Sequence, residues 1–153
     1  MSAISEILTP AQINLALTSR DQAAGVDEVV SKLNGDPRVT DWPALREAVL
    51  ARNAPALACD GCGVCIAHGR TNSVQSLVMA VGRSAEGLVS PQIGERVRLV
   101  FVAGIPAAFD SEYLRIVGAI ARLCRDKELL NKLLGVSEPA RFVELLAAAE
   151  VKL

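Results

Sequence analysis

Two stretches limit what this chain can fold into more than any others: SLVMAVG at residues 76–82 and VRLVFVAGI at residues 97–105. Each is almost continuously apolar and bounded by glycine or polar residues. Runs of this length, apolar on both sides, are expected of strands covered on both faces of a sheet. Two shorter runs precede them, APALAC at 54–59 and GVCIAHG at 63–69.

Helical patterns bracket this block. Upstream, residues 4–8 suit a short helix before Pro10, and the alternation over 12–17 suits an edge strand. Ser19 with Gln22 resembles a capping box. The helix after it would run to Leu33 on Ala23, Val26, Val29, Val30 and Leu33. Thr40 or Asp41 would cap the next, with Pro43 in its first turn and Leu45, Val49 and Leu50 inward. Downstream of Asp110 the period is helical throughout. Leu114, Val117, Ala121 and Cys124 share one face; Asp126 opens a helix on Leu129, Leu130 and Leu133. Ser137 and Pro139 open the last, on Phe142, Leu145, Leu146 and Ala149. Strands with helices on either side in sequence predict a layered α/β domain spanning residues 1–153. Its sheet would be mixed, mostly parallel and about five-stranded, flanked by helices.

Composition narrows the function. Sixteen basic and 17 acidic residues give a net charge of −1, without the basic excess that nucleic acid or an anionic membrane attracts. No stretch reaches the roughly 18 apolar residues of a membrane span. MSAISEILTPAQ has neither a basic region nor an apolar core, so a cytoplasmic protein is expected. In that compartment four cysteines are expected as thiols, ligands or core residues rather than disulfides.

ACDGCGVCIAHGRT, residues 58–71, holds three of the four cysteines and the single histidine. A Cys3His metal set from Cys59, Cys62, Cys65 and His68 is conceivable from spacing. Strand geometry opposes it, because residues three apart on a strand, such as Cys65 and His68, face opposite ways. The favoured reading makes Cys65 and Cys124 small core hydrophobes. Cys59 and Cys62 then occupy a glycine-containing loop, with a redox role for that pair as a lesser alternative. His68 ends an apolar strand and is followed by Gly69, Arg70 and Thr71. Strand ends are where ligands gather in α/β sheets, and a neutral imidazole is a competent nucleophile.

These residues also carry a resemblance. GVCIAHGRT resembles the G-[IV]-A-[IVL]-P-H-[GA] segment of enzyme IIA domains of the phosphoenolpyruvate-dependent phosphotransferase system, fructose/mannitol class, and of the related nitrogen-regulatory proteins. The LAR ending at Arg52 is similar to the family's L-x-R-E, sixteen residues before the histidine. The segments VRLVFVAGIPAAFDSEYLRIVGAIARLCRDKELLNKLL and SEPARFVELLAAAE resemble the family's later strand and helices. The resemblance implies a phosphoryl carrier accepting on His68 from an HPr-type protein. It would pass the group to a IIB domain, or use its phosphorylation to control target proteins.

It further implies Arg52 as a phosphate contact. Gly69, the helix start at Ser111, and Tyr113 are further candidates for the phosphoryl oxygens, with Arg70 a weaker one. No metal or cofactor is implied, and no oligomer is required. The nitrogen of His68 that does not attack is expected to be held by a backbone carbonyl. Two departures stand out: Ala67 replaces the family's proline, and Tyr113 stands where the family has a second histidine. A tyrosine hydroxyl hydrogen-bonds but does not become cationic near neutral pH. This keeps open a second reading, a regulatory binding module with weakened transfer. A cysteine-based metal or redox protein is the third.

Overall fold

The computed structural model describes residues 3–51, 56–58, 61–90, 94–108 and 110–153. The elements run α1 (Ile4–Ile7), β1 (Ile13–Asn14), α2 (Gln22–Val30), α3 (Trp42–Leu50), β2 (Ala56–Leu57), β3 (Val64–Arg70), β4 (Val78–Leu88), β5 (Val97–Ile105), α4 (Asp110–Cys124), α5 (Lys127–Gly135) and α6 (Pro139–Glu150). Short 3-10 turns at Pro10–Gln12 and Ser31–Leu33 join them.

The sheet is mixed, in the order β1-β4-β5-β3-β2. β1 lies parallel to β4 and β3 parallel to β5, while β4–β5 and β2–β3 are antiparallel. The pairings therefore divide evenly, and the parallel share is smaller than expected. β5 sits centrally, which is why its run is apolar on both faces.

Alternation along the strands builds two cores. Val64, Ile66, Leu99, Phe101 and Ala103 face α1, α4, α5 and α6; Cys65, Ala67, Val100 and Val102 face α2 and α3. The cap of α2 is Asp21, whose carboxylate accepts from the Ala24 N–H, not Ser19. Ser19 instead donates its backbone N–H and hydroxyl to Glu28. Asp41 caps α3 as expected. The inward stripe of α4 is wider than expected: Ile116, Ile120 and Leu123 are buried alongside the expected Cys124, Val117 packs against the same core, and Leu114 alone of the expected set is exposed, at 67%. The three larger side chains at positions i, i+4 and i+7 join the inward stripe. Arg83 ties this helical layer to the sheet, donating to the carbonyls of Leu15, Leu133 and Val136.

Gly69 and Gly104 are partners in register on β3 and β5. A Cβ on Gly69 would lie 2.6 Å from the backbone nitrogen of Val49, at the end of α3. Glycine here lets a helix backbone rest directly on the strand.

Three carboxylates anchor the α2–α3 side. The Arg46 side chain, bonded to Asp27 at 2.8 Å, holds that carboxyl below its usual range against the opposing effect of burial. Burial would raise Glu28, but the hydrogen bonds from Thr18 and Ser19 outweigh it, and its pKa falls. The Arg38 side chain likewise lowers Asp36, outweighing burial. A depressed folded pKa gives stability that is present above the unfolded pKa and lost as pH falls through the folded one. Denaturant unfolding is therefore expected to give constant stability from pH 7 to about 5 and a progressive loss below about pH 4. Asp36→Asn should flatten that loss, and an unchanged acid limb in this variant would contradict the role of Asp36.

Candidate active site

β3 carries His68 near its C-terminal end, in register with Ala103 of β5. Its position on the strand shares the face of Val64 and Ile66, the side of α4. Cys65 belongs to the opposite core. The divergence expected of residues three apart is thus realised, and Cys65 and His68 do not converge on one ion.

α4 brings Tyr113 to the ring in its first turn. The Tyr113 hydroxyl and His68 Nδ1 are hydrogen-bonded at 2.9 Å. The rings pack with centroids 4.8 Å apart, tilted by 43°. His68 is half-buried, and half-buried Tyr113 packs against the core of the α4–α6 layer. A side-chain hydroxyl therefore engages Nδ1. Phosphoryl contact was the role the resemblance implied for Tyr113; the geometry adds contact with the imidazole itself.

The other candidates fall around this pair. Ser111 lies two residues before Tyr113, at the amino end of α4, and is exposed. The first turn of a helix offers backbone N–H groups without intrahelical partners and the positive end of the dipole. Arg70, at the exposed end of β3, donates to the carbonyl of Ala107 at 3.2 Å and so fastens the turn that leads into α4. Gly69 follows His68 but faces α3, and the seat of that helix accounts for it. Arg52 and Cys59 lie outside the described residues.

Cys62 is disulfide-bonded, contrary to the expectation of thiols, ligands or core residues. Cys65 and Cys124 are free and buried, and desolvation pushes both thiols up to about 12. These two are inert core residues, as expected. Sequence periodicity missed Leu114, which it assigned to the core; it stands exposed beside Tyr113.

A family model described as "Phosphoenolpyruvate-dependent sugar phosphotransferase system, EIIA 2" matches residues 6–149. The chain belongs to this EIIA family. It is 26% identical over 144 residues to the fructose-specific EIIABC component of Bacillus subtilis, covering 94% of this chain but 23% of that protein. Against the fructose-specific EIIA component of Haloferax volcanii it is 31% identical over 111 residues, 72% of each chain.

The EIIA fold recurs in solved structures. The nitrogen regulatory protein IIA-Ntr of Neisseria meningitidis superposes with a TM-score of 0.81 at 24% identity, over 95% of this chain and 99% of that one. The IIA mannitol enzyme of Escherichia coli, in its complex with phosphorylated IIB, gives 0.73 at 18% identity, over 92% and 97%. No helix among the described residues is long and apolar enough to cross a membrane.

Proposed function

We propose that this EIIA-family protein is a phosphoryl carrier that accepts a phosphoryl group on His68 from an HPr-type protein and passes it to a IIB domain or a regulated target. The observation that carries the reading is the imidazole of His68, held through Nδ1 by Tyr113 at the amino end of α4. With Nδ1 engaged, Nε2 is the nitrogen that attacks phosphorus. The reaction needs little beyond positioning and charge neutralisation. Backbone N–H groups at the start of α4 and the Ser111 hydroxyl supply donors for the phosphoryl oxygens. Arg52 is assigned the cationic contact by the family pattern alone.

Docking is served by exposed Leu114 beside Tyr113, with the exposed turn at Ala107 and Ala108. Relay partners meet only transiently, so a small apolar collar of this kind suffices. For the Escherichia coli IIA mannitol enzyme the complex with IIB has been seen, and a IIB domain is the acceptor this reading assigns here.

Incubation with phosphoenolpyruvate, enzyme I and HPr is expected to yield one acid-labile, alkali-stable phosphate per chain. No uptake, with HPr itself phosphorylated, overturns the carrier reading. It would favour a regulatory binding module on the same fold, the reading that tyrosine in place of the second family histidine motivates.

A further inference from the structure

We infer that Tyr113 is a positioning residue that keeps hold of Nδ1 of His68 throughout the transfer cycle by reversing the direction of its hydrogen bond. The inference rests on the carrier reading above and extends it to the protons. Its basis is the 2.9 Å contact between the hydroxyl and Nδ1, together with the tilted ring packing that keeps the two side chains in register. The seat of Tyr113 against the α4–α6 core fixes where that hydroxyl lies.

The chemistry requires both directions. To attack, Nε2 must carry a lone pair, so the proton sits on Nδ1 and donates to the tyrosine oxygen. The Nε2 lone pair forms the new N–P bond while the donor's P–N bond breaks, its electron pair leaving with the donor imidazole. The product ring is briefly an imidazolium, its Nδ1 proton still on the tyrosine oxygen. Loss of that proton to water leaves a neutral phosphoimidazole whose Nδ1 now bears a lone pair. A carbonyl at this place would then oppose lone pair to lone pair. A hydroxyl rotates about its C–O bond and donates instead. Delivery runs the steps backwards: Nδ1 is reprotonated from water, the acceptor's nucleophile forms its bond to phosphorus, and the P–N bond breaks with its electron pair returning to Nε2. The ring never needs to turn in this cycle.

Nitrogen-15 labelling of histidine, on the full chain and on Tyr113→Phe, reads this directly. The substitution keeps the ring and removes only the oxygen, so the fold is expected to persist. In the resting protein the Nδ1 resonance should move toward that of an unrestrained imidazole. Rates of phosphate uptake from phospho-HPr and of delivery to a IIB domain should both fall about tenfold, the effect of one lost hydrogen bond. A merely structural tyrosine would leave the Nδ1 resonance where it is, and that result overturns the proposal even if the rates change. Unchanged rates with a shifted resonance overturn the part assigned to Tyr113 in transfer. Absence of phosphate uptake by the unsubstituted chain overturns the carrier reading, and with it the cycle described here.

Discussion

His68→Ala is expected to take up no phosphate from phospho-HPr while remaining folded. The loss should be complete, because the variant has no second histidine to which the group could move. The fold should survive because the ring lies at the half-buried end of β3 and not in either core. What the variant gives up structurally is the contact with Tyr113, worth about 1 kcal/mol. Uptake followed by gel mobility and acid lability, with a thermal melt on the same sample, separates chemistry from folding. Retained phosphate in a folded His68→Ala chain would place the acceptor elsewhere and end the assignment.

The next residue along the strand is expected to behave in the opposite way. Gly69→Ala should leave the reacting groups untouched and cost about 3 kcal/mol of stability, the upper range for overpacking. For a chain of this size that lowers the melting temperature by about 10 °C. The reason is the identity of the neighbour: the added carbon would meet backbone atoms of Ala48 and Val49, which have no rotamer to give way with. Gly135→Ala is the control, since a Cβ there meets nothing within 4 Å. It should be neutral or slightly stabilising. Equal melting temperatures for the two variants would show that α3 does not rest on the strand through its backbone.

Adjacent residues with such different roles show how much the sequence discloses. The strands were legible because central strands have no polar face, and 97–105 reads as one on apolar content alone. His68 was legible from its place at a strand end and from the family motif around it. The orientation of α4 was not. Leu114, Val117, Ala121 and Cys124 form as good a stripe on paper as Ile116, Ile120 and Leu123. Packing against α5 and α6 turns the second stripe inward, keeps Cys124 inside with it, and leaves Leu114 exposed near the site. The cap of α2 was misread for a similar reason. Ser19 satisfies the capping pattern, but its hydroxyl serves Glu28, and Asp21 lies directly before the helix. Tyr113 was placed by motif, yet its bond to Nδ1 depends on how α4 meets β3, which no local pattern encodes. The bond at Cys62 had no signal beyond spacing, and the expected compartment argued the other way.

The two flanks of the sheet are held together by different chemistry. On the α2–α3 side Asp27 ties α2 to α3 through Arg46, Glu28 ties α2 to the loop at Thr18 and Ser19, and Asp36 holds Arg38, all carboxylates that lose their grip when protonated. On the other side Arg83 grips the carbonyls of Leu133 and Val136, which do not titrate in acid, alongside the Glu150 carboxylate of α6 that accepts from the Ile4 N–H. Acid should therefore peel the molecule from one flank. Amide exchange near pH 3 would quicken first in α2 and α3, while α5, α6 and the strands beneath them keep their protection.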